Sequence, residues 1–490
     1  MMQQKGLNKN DIIENIEVEK LVFGGQGFAR LKHENPDLDG RVVFITGGAI
    51  PGSVVNLRIL KKRSAYFETQ IVDIVKKSPL EKTHPTNIYG ESGGWKWINI
   101  PYEEQLKIKE NQIRESMHLI EKLQENIHFL PIEASPIIDG YRNKVEFSFG
   151  KYLSNKDNIQ EHFNLGFHKQ GEFSKVEDYD GAPLIDDIQN EVFLEIKKFT
   201  KTIGLPVYDQ MRAEGFFRHL LIRKTHFTNE MMILLSFSPE YFEKNTRLNK
   251  EEKLSIIKDF FVKLAGKYPI IKSIYYSHNV NKSDTFIGDL ELIYGKPTIT
   301  ERLLGLDFNI SPTSFFQTNS TGAEKLYEMV LDFAKKDDLK NQIVLDLYGG
   351  TGTIGMIFAK AGAKNVKSVE MVTSASLDGK ENAKLNGLHN IDFVNAKVED
   401  FLAEYISSGE KADLLIIDPP RAGMHPGALP NILSFNTKQI IYVSCNPATL
   451  ARDLEYILKN SNYEIEKIKP KDMFPHTHHI ETIVSLIKKD

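Results

Sequence analysis

One stretch constrains this chain more than any other: Val344-Leu345-Asp346-Leu347-Tyr348-Gly349-Gly350-Thr351-Gly352-Thr353-Ile354-Gly355. An apolar run of strand type leads directly into a glycine turn and then into a helical pattern. Glycine is needed where the backbone turns sharply and a ligand approaches with no Cβ in its way. Gly350, Gly352 and Gly355 satisfy G-x-G-x-x-G, and Glu370 ends the next apolar run about 20 residues later. An acid at that place accepts hydrogen bonds from two ribose hydroxyls. The pattern therefore predicts a strand–turn–helix unit that binds an adenosine-bearing ligand, either a dinucleotide or S-adenosylmethionine.

The surrounding pattern fits that unit into a larger sheet. Ile343–Leu347, Val366–Glu370, Ile391–Asn395, Leu414–Asp418 and Ile440–Ser444 read as strands separated by helical stretches, and a last strand runs over Ile480–Ile487. This alternation predicts an α/β fold with a Rossmann-like, doubly wound sheet over residues 301–490. Upstream, residues 79–300 read as a mixed α/β domain with helical stretches at 101–126, 184–203 and 250–266. Residues 8–78 hold short strands at intervals of roughly ten to thirteen residues, the spacing of a small β-barrel. Three domains agree with a length of 490 residues.

Composition excludes several classes. With 41% hydrophobic and 26% charged residues, the chain is neither disordered nor of low complexity. It has no apolar run near the ~20 residues that a membrane helix needs. The opening MMQQKGLNKN is too polar for a secretory signal. The one cysteine rules out an intrachain disulfide, and the expectation is a cytoplasmic enzyme without a membrane or protein partner. A net charge of −4 leaves nucleic acid to local basic patches, and Arg58, Lys61, Lys62, Arg63, Lys76 and Lys77 form one candidate.

Three features favour the methyl donor over a dinucleotide. Asp346 lies in the turn region, where an acid can shape the loop near a cationic sulfonium. That donor has no pyrophosphate, so no helix N-terminus built for one is required. The fourth strand ends Ile417-Asp418-Pro419-Pro420-Arg421, which sets a carboxylate and a rigid turn at the ligand-binding edge of the sheet. The plainer reading of Asp418 is a strand-ending turn. Cys445 follows the fifth strand in Ser444-Cys445-Asn446-Pro447, on that same edge, where a thiolate would face the crevice. Taken alone, a cysteine is more often a small buried hydrophobe. The tail Asp472-Met473-Phe474-Pro475-His476-Thr477-His478-His479-Ile480-Glu481 has no zinc-type spacing, so no metal is expected. Glu481, entering the final strand, can stand beside Cys445 as a general base.

Together these segments resemble the uracil-C5 RNA methyltransferase family, class I enzymes that use S-adenosylmethionine. The resemblance spans nearly the whole chain. Gly24–Gly27, Ala49-Ile50-Pro51-Gly52 and Ser78-Pro79 look like a TRAM domain, an OB-like RNA-binding barrel. Tyr141-Arg142-Asn143-Lys144 and Gly215-Phe216-Phe217-Arg218-His219-Leu220 resemble the middle domain. Ser314-Phe315-Phe316-Gln317-Thr318-Asn319, the Tyr348 turn, Asp418-Pro419-Pro420-Arg421, Ser444–Pro447 and Phe474–Glu481 resemble the catalytic domain in order. The resemblance implies donor binding by Gln317, Tyr348, Glu370 and Asp418, a nucleophile at Cys445 and a proton acceptor at Glu481. It implies an RNA substrate, with 23S rRNA favoured over tRNA by the TRAM-like segment. Many relatives hold an iron–sulfur cluster on four cysteines. Here His84, Ser92, Trp95 and Ala182 stand at those places, so no cluster is expected, and packing around Trp95 and Trp97 is expected to replace it. Three other readings remain: a nicotinamide-dependent oxidoreductase, a methyltransferase for exocyclic amines, and a non-catalytic RNA-binding protein.

Overall fold

The N-terminal strands are β1 (Ile12–Glu17), β2 (Lys20–Leu21), β3 (Gly27–Arg30), β4 (Val42–Thr46), β5 (Val54–Lys62) and β6 (Tyr66–Lys76). The structure is a computed structural model and describes residues 6–83, 94–151, 163–169, 172–245, 247–282, 285–286, 288–334 and 336–489. The six strands follow the order β1-β5-β6-β4-β3-β2. β1 and β2 are two halves of one run. Between them the Val18 amide donates to Ser53 O and the Glu19 amide to Phe28 O. Both edges of the sheet thus meet on the same run and the barrel closes, which leaves no free edge. Alternate residues Val43, Ile45, Val55, Leu57, Ile59 and Phe67 point inward and are buried. The basic strip is partly neutralised, because Lys61 and Arg63 share Glu68, and Lys77 pairs with Glu81.

Next come α1 (Tyr102–Glu121) and β7 (His128–Phe129), then the central sheet. Its strands are β8 (Lys144–Gly150), β9 (Asn164–Lys169), β10 (Glu172–Asp178), β11 (Phe217–Lys224), β12 (Met231–Phe237), β13 (Ile271–His278) and β14 (Asp289–Gly295), in the order β10-β9-β8-β11-β12-β13-β14. The helices α2 (Asp187–Thr202), α3 (Glu240–Lys244) and α4 (Lys250–Lys267) accompany it. β12 is buried at every position, and its alternate side chains enter two different cores. Met231, Ile233 and Leu235 join the core under α2 and α4, while Met232 and Leu234 join the core of the C-terminal unit. Period-two alternation therefore divides one apolar strand between two neighbours.

The C-terminal part begins with the hairpin β15 (Ile299–Leu303) and β16 (Leu306–Ile310), followed by α5 (Ser320–Phe333). The alternating elements are β17 (Ile343–Leu347), α6 (Thr353–Lys360), β18 (Asn365–Glu370), α7 (Thr373–Leu385), β19 (Ile391–Asn395), α8 (Val398–Ser407) and β20 (Leu414–Ile417). They continue through α9 (Ala428–Ser434), β21 (Gln439–Ser444), α10 (Pro447–Asn460), β22 (Tyr463–Lys471) and β23 (Glu481–Lys488). The sheet order is β19-β18-β17-β20-β21-β23-β22-β7. β17 to β21 run parallel, and β23 is inserted antiparallel between β21 and β22. This is the Rossmann-like arrangement of class I methyltransferases.

Two elements fall differently from the sequence grouping. α1 and β7 lie within 79–300, yet β7 pairs with β22 at the edge of the C-terminal sheet. Ile113, Met117 and Ile120 of α1 pack in the core beside α10. Helical spacing announced the apolar face of α1 but not its partner. Each of these three side chains contributes about 2 kcal/mol by burial.

α1 also grips the loop that leads into β23. Lys109 Nζ pairs with Asp472 Oδ1 at 2.7 Å and donates to Phe474 O at 3.1 Å, with both charged side chains fully buried. Gln105 donates through Nε2 to Trp97 O and Ile100 O, and lies 3.0 Å from His476 Nδ1. Its Oε1 accepts from the His476 amide. The Asp139 carboxylate, 2.8 Å from Nε2, accepts from that nitrogen and so places a ring proton there. Lys109→Met leaves a buried carboxylate unpaired and is expected to cost about 3 kcal/mol in denaturant unfolding. Adding Asp472→Asn should recover most of that loss; equal stability of the single variant and the parent would contradict the assignment.

Candidate active site

The glycine turn after β17 is wound through left-handed backbone at Tyr348 (φ 61°), Gly350 (φ 58°) and Gly352 (φ 71°). For tyrosine that conformation costs about 1 kcal/mol or more, and strain of this kind persists only where the surroundings enforce it. A side chain on Gly349 would run into Ser368 Oγ and Asp346 Oδ2, so the turn lies flat on β18 only with glycine there. Asp346 is buried beneath the turn. Its Oδ2 accepts from the Gly355 amide at 3.1 Å and from Ser368 Oγ at 2.9 Å, while Oδ1 has no partner. Burial pushes this carboxyl up to about 6. It shapes the turn from below rather than lining a ligand surface. Glu370 accepts from the Gly350 amide at 3.0 Å and the Val372 amide at 2.7 Å, which fixes the acid at the mouth of the turn.

The other expected residues gather along the same edge. Leu347 pairs with both Val369 and Ile417, so Tyr348, Glu370 and Asp418 are one step beyond the same row. Ser444 pairs with Thr482, and the next step in that antiparallel register sets Cys445 opposite Glu481. Directly opposed residues of antiparallel strands point to one face. Cys445 is half-buried. It immediately precedes α10, whose cap is made by Asn446 Oδ1 accepting from the Ala448 amide. Asn446 Nδ2 donates to Arg421 O at 2.9 Å and so ties the cysteine turn to the Asp-Pro-Pro-Arg turn. Gln317 neighbours Tyr327 of α5, whose buried hydroxyl also lies in the field of Asp418, Asp346 and Glu481.

Sequence reasoning did not reach Tyr327. It reads as one apolar-face position of an amphipathic helix, and only the packing of α5 aims its hydroxyl at the acids. Arg421 was visible in its motif but had no role. In the structure its charge acts on both the thiol and Glu481, and its guanidinium donates to the His479 ring at 3.2 Å.

The electrostatics are one-sided. Burial, then Glu481 and Asp418, push the Cys445 thiol up to about 11, against the pull of Arg421. Burial and then Asp346 push Asp418 up to about 7. Burial and then Asp418 hold Glu481 well above the usual carboxylate range. Among the described residues no protein group hydrogen-bonds the Asp418 or Glu481 carboxylate. Three acidic groups thus share one recess with a single arginine, an arrangement that favours a cationic ligand.

The tail histidines are occupied otherwise. His476 is bound to α1, and the His478 and His479 rings lie 4.1 Å apart, tilted by 41°. Burial pushes them down to about 4 and about 3, which keeps both neutral at physiological pH. His478 also meets Phe23 of the barrel edge to face at 6.3 Å, so the barrel's glycine loop stands at the mouth of the recess. Among the described residues no three His, Cys, Asp or Glu side chains form a metal-binding group. Of the four positions implied for an iron–sulfur cluster, His84 and Ser92 lie outside the described residues. Trp95 and Ala182 share one apolar core, where Trp95 packs edge-on against Phe167 and Tyr179. These residues do not fit a cluster.

The family model described as tRNA (Uracil-5-)-methyltransferase matches residues 294–489. An RNA methyltransferase of Clostridium tetani, described as uncharacterized, is 38% identical over 97% of this chain and 97% of its own length. One from Caldanaerobacter subterraneus subsp. tengcongensis, described in the same way, is 36% identical over 98% of this chain and 99% of its own. The chain belongs to the uracil-C5 RNA methyltransferase family. Among solved structures, the Pyrococcus abyssi tRNA (uracil-54, C5)-methyltransferase in complex with S-adenosyl-L-homocysteine superposes with a TM-score of 0.72 at 27% identity, over 97% of this chain and 100% of that one. The family placement makes this chain an RNA methyltransferase and removes the oxidoreductase and the purely binding readings. No helix among the described residues is long and apolar enough to cross a membrane.

The raised thiol gives a pH signature. A folded thiol at about 11 leaves little thiolate at pH 8, so alkylation of Cys445 by iodoacetamide should accelerate steeply between pH 8 and 11. S-adenosylmethionine, cationic at sulfur, should move that profile to lower pH more than uncharged S-adenosylhomocysteine does. A profile centred near 8.5, indifferent to the donor's charge, would contradict the acidic recess.

Proposed function

We propose that this chain methylates C5 of a uridine in RNA, with S-adenosylmethionine as donor, through a covalent adduct on Cys445. The placement of Cys445 opposite Glu481, on the edge that carries the glycine turn and Asp418, supports this most directly. The residues fit the donor: Glu370 stands where ribose hydroxyls would bond, the Tyr348 turn leaves open space at Gly350, and Asp418 and Gln317 flank the recess. In this reading the donor supplies a methyl group on a cationic sulfur. The N-terminal 8–78 barrel is a TRAM-like RNA-binding unit, 79–300 a central RNA-binding unit, and 301–490 the catalytic unit, joined by α1 and β7.

Uracil C5 is too weak a nucleophile to take a methyl group unaided. The Cys445 thiolate forms an Sγ–C6 bond, and the C5=C6 electron pair moves to give an enolate. C5 then bonds to the methyl carbon as the sulfonium–methyl bond breaks, leaving S-adenosylhomocysteine. Glu481 removes the C5 proton, and the released electron pair restores the double bond and expels the thiolate. Arg421 is placed to stabilise the thiolate. Its charge, with that of a bound sulfonium, offsets the two carboxylates that disfavour the thiolate in the free site. The target base must leave its stack to reach this recess. Such an enzyme would act in the cytoplasm.

The favoured target is 23S rRNA, on the strength of the TRAM-like barrel. A second reading, tRNA, has its own support. The Pyrococcus abyssi enzyme is a tRNA methyltransferase and superposes over 97% of this chain, a span that takes in most of the barrel. A barrel is therefore compatible with both. Mass mapping of 5-methyluridine in rRNA and tRNA from cells with and without the gene decides between them, and loss from neither RNA would overturn the proposal.

Cys445→Ala is expected to abolish methyl transfer and leave S-adenosylhomocysteine binding intact; retained turnover would remove Cys445 as nucleophile. Glu481→Gln is expected to accumulate a protein–RNA adduct that survives denaturing gels, because addition and methylation proceed while release does not. Normal turnover with no adduct would exclude Glu481 as the base.

A further inference from the structure

The motif Tyr141-Arg142-Asn143-Lys144 has no part in the chemistry above, yet its contacts lead into the site. We propose that Asn143 is a positioning residue that holds the methyl-donor loop, so that donor affinity depends on the central sheet. This rests on the reading of Gln317 as a donor-binding residue.

Asn143 is buried just before β8. Its amide donates to Thr318 O at 2.7 Å, and its Nδ2 donates to Gln317 O at 2.9 Å and Ser320 Oγ at 2.9 Å. Its carbonyl accepts from the Lys224 amide at the end of β11. One residue thus joins two strands of the central sheet to Gln317, Thr318 and Ser320. Arg223, also on β11, holds the start of the same loop, donating to Ser311 O at 3.2 Å and Ser314 O at 3.1 Å. From the other side Ser314 Oγ donates to Asp378 of α7 at 2.6 Å. The loop is therefore suspended between the central sheet and the catalytic unit, with Gln317 near its end.

The same motif reaches the second loop of the site. Tyr141 donates through its hydroxyl to Pro475 O at 3.1 Å, and Asn319 Nδ2 donates to Met473 O at 2.8 Å. Loss of the side-chain bonds of Asn143 therefore loosens the loop at Gln317. Apolar packing alone would not specify where a loop without regular structure presents its glutamine.

Calorimetric titration with S-adenosylhomocysteine tests the assignment. Asn143→Ala keeps the backbone bonds and removes both side-chain bonds; its Kd for the ligand should rise about tenfold. The donor KM should rise in parallel with kcat unchanged at saturating donor, and Cys445 alkylation should proceed at the parental rate. A lowered Tm with a parental Kd and KM would mean a merely structural role and overturn the proposal. Ser320→Ala removes one acceptor of Asn143, together with the bond that Ser320 Oγ donates to Glu301, and should raise Kd about threefold; if Asn143→Ala does not fold, a parental Kd in Ser320→Ala overturns the proposal instead. Failure of the parent itself to bind the ligand would strike the donor reading, whereas equal binding by parent and variants strikes only the role of Asn143.

Discussion

The antiparallel register between β21 and β23 is the constraint on which the site depends. With Ser444 on Thr482, the next step sets Cys445 against Glu481. A slip of one residue would turn Glu481 to the opposite face of the sheet. Burial pattern alone does not pin this register, because both strands are buried on both faces. Polar contacts do so at each end. Gln439 Nε2 donates to Ser485 Oγ at 2.9 Å, and Ser485 Oγ donates to Glu466. At the other end the loop before Glu481 is fixed by the buried Lys109–Asp472 pair and by Gln105. An ion pair so deeply buried adds little net stability, and its value here is specificity of loop position.

The same packing that assembles the site makes its resting state unreactive. Burial raises all three groups; Glu481 and Asp418 further raise Cys445, Asp418 raises Glu481, and Asp346 raises Asp418. Arg421 opposes that effect at the thiol and at Glu481. A recess of this kind holds its thiol protonated until positive charge arrives. In the proposed reaction that order would couple formation of the thiolate to the presence of the cationic donor.

The central sheet is more than a neighbour of the catalytic unit. β12 gives alternate side chains to both cores, and Tyr141, Asn143 and Arg223 reach the loops that carry Gln317 and Glu481. The barrel approaches the same mouth through Phe23 and His478. The central sheet and the barrel thus touch the recess from two sides. Rigid contacts of this type transmit position, since packed interfaces do not deform continuously.

Much of the molecule was legible in the residues alone, because its signals are local. The glycine turn demands backbone that only glycine adopts freely, strand–helix alternation predicts a parallel sheet, and acids or thiols at strand ends mark its binding edge. These arguments found Glu370, Asp418, Cys445 and Glu481 as candidates, while Gln317 and Tyr348 came from the resemblance to the family. Docking of α1 and β7 on the C-terminal sheet was not legible, since helical periodicity reports an apolar face and not what covers it. Tyr327, Lys109 and Asn143 were missed for a related reason: each acts through a partner between 174 and 363 residues away or through a field summed over several strands. Local sequence determined which groups stand at the sheet edge. Tertiary structure alone decided which of them share one recess and how burial sets their charge, because proximity and desolvation are properties of the packed chain and leave no periodicity to read.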